Sequence, residues 1–325
     1  VFFTKKDGTK AKLPLPRILW NKRENKLDFF LTTKKAMKAG YTEAHAIDHE
    51  SAHGKLLVPG GSGEYKKLYH QLKETENPEE QDQVKAQMRE LKPLDLSITK
   101  NVLFMFIASA LLLLIFISIA RRYKANPDSP PKGIQSAFEP MIVFIRDEIA
   151  KTYIPTHYER FLPLLLNFFF FIWFLNLLGI IPFSANVTGN IAVTASLALV
   201  TLVVTNINGK SQYWQHIFWF PGVPVFVKPI MFIVELVSMF TKPFALTIRL
   251  FANMTAGHLL ILSFISLIFI FGKVGELPSV GWATSVVSVA FTLFIDLIEL
   301  LIALLQAYIF TVLSALFIGQ AIEEH

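Results

Sequence analysis

Cysteine is absent from the 325 residues. That excludes disulfides, zinc–thiolate sites and thiol nucleophiles, and leaves the redox compartment open. Charge is scarce as well: 17% of residues are charged, while 53% are hydrophobic, 30 of them Phe, and the mean hydropathy is +0.45. This is too apolar for a soluble protein with one core and places the chain among helical membrane proteins. The net charge of +6 sits mostly in the N-terminal third and in short loops, which points to membrane topology rather than to nucleic acid. The chain begins with Val1, which a cleaved signal peptide or a shortened chain explains equally.

Residues 1–96 are polar and residues 97–325 form the expected membrane domain, with Ser97 as N-cap of the first span. In the polar part, Ile18-Leu19-Trp20 and Leu27-Asp28-Phe29-Phe30-Leu31 read as a hairpin turning at Asn21–Asn25. Residues 64–76 and 79–91 read as charged amphipathic helices broken at Pro78. His45, His49 and His53 would share one face if their segment is a helix, as a metal site or a proton-collecting surface. The weak apolar periodicity there favours a solvated polar face, so no metal site is expected.

The sequence predicts spans over residues 98–120, 161–182 and 190–208, and an interfacial amphipathic helix over 134–157. Arg121-Arg122-Tyr123-Lys124 follows the first span, so that end is cytoplasmic and the N-terminal part lies outside. Residues 209–228, aromatic and rich in Pro, read as an irregular interfacial loop.

Two apolar segments, residues 229–271 and 282–322, are each twice the length a bilayer needs. Each is either a helical hairpin or one long tilted helix. The lack of an internal multi-residue turn signal favours two long helices packed against each other, with Pro243 able to kink the first.

Ionisable groups are rare in these segments and costly. Arg249 at mid-bilayer costs about 2.5–3.5 kcal/mol on insertion scales and cannot escape by losing its proton. Glu235, Lys242 and Arg249 recur every seven residues and share a stripe, with Asn253 close by. His258, nine residues beyond Arg249, falls on the opposite side of the helix. Asp296, Glu299 and Gln306 form a stripe on the second segment. These groups suit a proton path with Arg249 as a fixed charge. The structural alternative pairs Arg249 with Glu299 or Asp296 in a buried network capped by Gln306. A secondary transporter is disfavoured because no clear inverted repeat is present, and a plain membrane anchor has no need of Arg249.

The run Arg249-Leu250-Phe251-Ala252-Asn253-Met254-Thr255-Ala256-Gly257-His258 resembles subunit a of the F-type ATP synthase membrane sector. So do Ser238-Met239-Phe240-Thr241-Lys242-Pro243, residues 299–310 from Glu299 to Phe310, and the terminal Glu323-Glu324-His325. The resemblance covers essentially all of residues 97–325. It implies an all-α membrane protein of about five membrane helices, with a hairpin of two long tilted helices against a ring of c subunits. It also implies a bacterial inner-membrane location with a cytoplasmic C-terminus, subunit b and the rest of the complex as partners, and no cofactor.

On this resemblance the chain is a non-catalytic stator subunit. Arg249 is the arginine that meets the ring's ion-carrying carboxylate. Asn253, His258, Glu299 and Gln306 match positions lining aqueous half-channels, with Asp296 beside them, and Glu235 matches an acidic position of the cytoplasmic half-channel. Some members carry the acid on the first long helix and the histidine on the second; here the order is His258 and Glu299. Residues 1–96 show no family motif.

Overall fold

The computed structural model describes residues 2–4, 10–12, 15–47, 55–75, 77–125, 130–181, 184–219, 224, 226–272 and 277–322. His49, His53, Pro182 and the terminal Glu323-Glu324-His325 lie outside the described residues, as does most of the turn between the two long segments. The chain divides into two compact units, Val1–Leu103 and Phe104–His325.

In the first unit, β1 (Phe2–Thr4) pairs with β2 (Lys10–Lys12). β3 (Arg17–Asn21) and β4 (Lys26–Phe30) form an antiparallel hairpin, whose turn holds Asn25 at a left-handed φ of 51°, a conformation Asn tolerates. α1 (Thr33–Lys38) starts at Thr32, whose hydroxyl accepts the Lys35 N–H at 3.2 Å. β5 (Thr42–Glu43) pairs with β6 (Leu56–Leu57). α2 (Ser62–Glu74) and α3 (Pro78–Glu90) follow. Pro78 opens α3, where its missing N–H costs nothing, and the Asn77 side chain caps the same turn. β7 (Leu94–Asp95) closes the sheet in the order β4-β3-β7.

Leu19, Ala36, Tyr41 and Leu56 fill one core of this unit, and Leu57, Val58, Tyr65 and Leu91 another. The Tyr41 hydroxyl donates to Asp28 at 2.6 Å. Burial, and then that carboxylate, hold the Tyr41 pKa above its usual value. His45 sits in a 3₁₀ turn at Ala44–Ala46 rather than on an α-helix. His49-Glu50-Ser51-Ala52-His53 has HExxH spacing in the sequence, so a metal role for this segment rests on spacing alone.

The second unit is helical. α4 (Lys100–Ala125) begins at the end of the first unit and runs five residues beyond the expected 120. Arg121, Arg122 and Lys124 extend it because cations suit a helix C-terminus and their stems reach the interface. Its first turn is capped by Thr99, which accepts the Val102 N–H at 3.3 Å. The expected cap, Ser97, instead accepts the Ile18 N–H at 3.1 Å, so the β-sheet has claimed it.

α5 (Ile134–Phe144), a π-helical stretch (Ile145–Ala150) and α6 (Lys151–Tyr153) make one helical run, which stops before the expected 157. Within it, Asp147 lies between Arg146 at 2.8 Å and Lys151 at 2.6 Å. Hydrogen bonds from both hold its carboxyl well below the usual range. α7 (Tyr158–Ile180) and α8 (Ile191–Asn208) follow. Residues 211–218 correct the expected loop, because they form α9 (Ser211–Phe218). The prolines begin only at 221, and Trp214 stacks on Phe218 one turn later at 6.0 Å.

α10 (Lys228–Phe271) and α11 (Pro278–Ile322) are single continuous helices, not hairpins. α10 passes through Pro243, whose carbonyl accepts the Thr247 hydroxyl at 2.8 Å. The two helices pack antiparallel: Lys242 meets Gln320, Phe264 stacks on Phe291 at 5.4 Å, and Gly272 lies against Gly281. Helices α4, α7, α8, α10 and α11 are long and apolar enough to cross a bilayer.

The core lies between α7 and α11. Phe161, Leu165, Phe168, Phe169 and Phe170 pack on Ala307, Phe310, Ala315 and Ile318, with Phe168 edge-on to Phe310 at 5.3 Å. Gly319 lets α11 close on the end of α6, since a Cβ there would overlap the Tyr153 carbonyl oxygen.

Candidate functional site

α10 carries two faces of different character. Leu246, Thr247, Leu250 and Met254 are buried against the rest of the unit. Their spacing of three to four residues continues to Gly257 and His258. Arg249, Ala252, Asn253 and Ala256 are exposed on the other side. Arg249 makes no ion pair among the described residues. The structural alternative, Arg249 paired with Glu299 or Asp296, is therefore not what the chain builds. The small Ala252 and Ala256 leave the guanidinium on an open, close-approach surface.

The inward face meets α11 at Glu299, which is 4% exposed. Its carboxyl rests on Gly257, where any Cβ would overlap it. Both Glu299 carboxyl oxygens are buried without a hydrogen-bond partner among the described residues. Asp296, half-buried one turn away, acts electrostatically on both Glu299 and His258. Gln306 is buried two turns further along the same stripe.

α7 and the loop after it complete this region. Asn176 is fully buried and donates to the Ala303 carbonyl at 3.2 Å. Asn186 donates to the Met254 carbonyl at 3.4 Å. The Asn176 carbonyl oxygen and the hydroxyls of Thr188 and Thr255 are buried without partners among the described residues. Asn176, Asn186, Thr188, Thr255 and Gly257 carry no assigned role in the sequence alone. The legible signal was a small residue next to His258 and a cluster of Asn and Thr between two spans.

A second polar group lies on the other side of Arg249. Lys242 Nζ donates to Gln320 at 3.3 Å and sits 5.1 Å from the Phe317 ring. The Tyr213 hydroxyl donates to Asn206 at 3.0 Å. Burial, then the charge of half-buried Glu235, push the Tyr213 pKa up. Thr201, Thr205, Tyr213 and Lys242 line a cavity of about 20 Å³ here, room for about one water. At 1.5 Å per residue, Glu235 and Lys242 precede Arg249 by about 21 and 10 Å, and His258 follows it by about 13 Å. Polar groups thus lie before and after the exposed arginine, at different heights along α10. Among the described residues no group of His, Asp and Glu is arranged to hold a metal.

The family profile of the ATP synthase A chain matches residues 102–319. ATP synthase subunit a of Chloroherpeton thalassium is 47% identical over 244 residues, covering 73% of this chain and 70% of its own length. The ATP synthase subunit a of Chlorobium phaeobacteroides strain BS1 is 41% identical over 297 residues, 87% of this chain and 85% of its own. A subunit a of Prosthecochloris aestuarii is 46% identical over 233 residues, 70% and 69% respectively.

Proposed function

The chain belongs to the ATP synthase A chain family, and from that premise we propose how its residues move protons. It is a multi-pass membrane subunit, the proton-translocating stator component of the synthase membrane sector. We assign it two offset half-channels separated by Arg249, with a ring of c subunits passing the outer face of α10 and subunit b beside it in the stalk. The chain itself performs no catalysis. It resides in a bacterial inner membrane, with residues 1–96 outside as a separate extension, residues 97–325 in the bilayer and the C-terminus in the cytoplasm.

Protons enter by the group built from His258, Asp296, Glu299 and Gln306 and neutralise a carboxylate on the ring. The unpartnered oxygens of Glu299, Asn176, Thr188 and Thr255 supply acceptors along which water can be held in that path. After nearly a full turn the carboxylate loses its proton on the side of Glu235, with Lys242 in support. Asn253 shares the exposed face with Arg249 and borders the ring.

Arg249 attracts the ionised carboxylate and repels a free proton, which keeps the two paths from short-circuiting. The observation carrying this reading is that Arg249 is exposed, unpaired among the described residues and has polar groups at different heights before and after it along the helix.

Arg249→Lys tests it in the reconstituted complex. Lys keeps the charge only while protonated and loses its proton readily when desolvated. Proton-driven ATP synthesis is expected to fall by tenfold or more. Synthesis near the parental rate would remove the fixed-charge role.

A further inference from the structure

The three-stranded sheet of the first unit is apolar on both sides, and only one side is used by its own core. The register places Ile18 opposite Phe29, and Trp20 opposite both Leu27 and Leu94. Strand alternation therefore puts these side chains on one face, with Leu31 and Leu96 continuing it. Leu19 and Phe30, on the other face, pack with Ala36, Tyr41 and Leu56. The outer face stays open: Leu27, Phe29, Leu31, Leu94 and Leu96 are 50 to 60% exposed and Trp20 is 37% exposed. A contiguous apolar face of this kind marks an interaction surface.

The chain itself indicates what covers it. The Leu96 N–H donates to the Ile18 carbonyl at 2.9 Å and Ser97 accepts from the Ile18 N–H. Sheet bonding thus persists to Ser97, and only Ile98 and Thr99 precede Lys100, where the first membrane helix begins. Two residues span about 7 Å at full extension, so the chain leaves little slack between the sheet and a helix apolar enough to enter lipid. The same region is basic: residues 15–40 contain seven Lys or Arg against Glu24 and Asp28. A Trp and Phe among aliphatic side chains, bordered by cations, matches the chemistry of a headgroup interface.

We infer that the face formed by Trp20, Leu27, Phe29, Leu94 and Leu96 docks on a phospholipid surface. The first unit is then bound to the membrane rather than a freely tumbling appendage. This holds whichever side of the membrane it occupies, so it stands apart from the proton-path reading.

The absence of cysteine allows a direct test with a single nitroxide at Phe29→Cys or Leu94→Cys. Lys66→Cys on the exposed side of α2 serves as reference. The full chain is measured within the assembled complex in phospholipid vesicles, its other subunits free of reactive cysteine. Collision rates are recorded with oxygen, which partitions into lipid, and with a water-soluble nickel chelate. At positions 29 and 94 the nickel rate is expected to fall severalfold below that at 66, while the oxygen rate rises above it. Nickel access equal to that at 66 overturns the proposal. Loss of access to both reagents also overturns it, since that result means protein covers the face.

Discussion

A methyl group added at Gly257 probes the contact on which the inward path depends. A Cβ there stands 2.7 Å from Glu299 Cδ and 3.1 Å from Cγ, and overlaps Oε1. Ordinary carbon contacts lie at about 3.5–4.0 Å, so the carboxyl must withdraw by about 1 Å. Overpacking of this size costs about 1–3 kcal/mol, and the gain in helix propensity from Gly to Ala returns about 1 kcal/mol. Gly257→Ala is therefore expected to assemble, with a net stability change within about 2 kcal/mol.

Transfer chemistry is less forgiving. A misplacement of about 1 Å can cost about 100-fold. Proton-driven ATP synthesis in vesicles, normalised to assembled complex, is expected to drop at least tenfold. Shortening the acid by one methylene in Gly257→Ala/Glu299→Asp relieves the overlap and should restore part of the rate, a coupling read as a double-mutant cycle. Full activity in Gly257→Ala, or a double variant no better than the worse single one, would refute the steric argument.

Glu299→Gln keeps the shape and removes the titrating group, so proton-driven synthesis should fall at least tenfold. Thermal stability should hold or rise, because an unpartnered buried carboxyl is replaced by a neutral amide. Gly319→Ala meets the Tyr153 carbonyl, and backbone yields less than a side chain tip; a loss of about 1–3 kcal/mol and lower complex yield are expected on blots of purified membranes. In the first unit, the raised pKa of Tyr41 means the folded state favours the neutral phenol. That contribution is complete below pH 10.0, the ordinary value, and is lost as pH rises from there through the higher folded value. Limited proteolysis of residues 15–47 should steepen above that pH in the parent and be flatter in Tyr41→Phe. The variant also loses about 1 kcal/mol at neutral pH with its hydrogen bond to Asp28.

Much of the membrane unit was legible because its signals are long. Some forty apolar residues without a turn signal read correctly as α10 and α11, and the 100° advance per residue separates Arg249 from His258 on sequence alone. Periodicity alone says that two faces differ, not which one turns inward. That depends on Leu246, Leu250 and Met254 finding the core while Ala252 and Ala256 do not. Short-range competition explains the misses. Ser97 was a sound helix cap until the long-range sheet bond to Ile18 took its hydroxyl. Residues 211–218 looked irregular because the prolines after them dominated the window, although the octamer itself contains none. The contact of Gly257 with Glu299 joins residues 42 apart in sequence; only packing reveals that the glycine is room for a carboxyl.

The central claim is that the exposed face around Arg249 is the surface a moving carboxylate passes. With no native cysteine to interfere, Ala252→Cys on that face and Thr247→Cys on the buried face can be paired in turn with a cysteine on the carboxylate-bearing helix of the c subunit. Oxidation should yield a disulfide from position 252 but not from 247, and proton-driven ATP synthesis should stop until a reductant cleaves it. No product at 252, or equal product at both positions, would contradict the account.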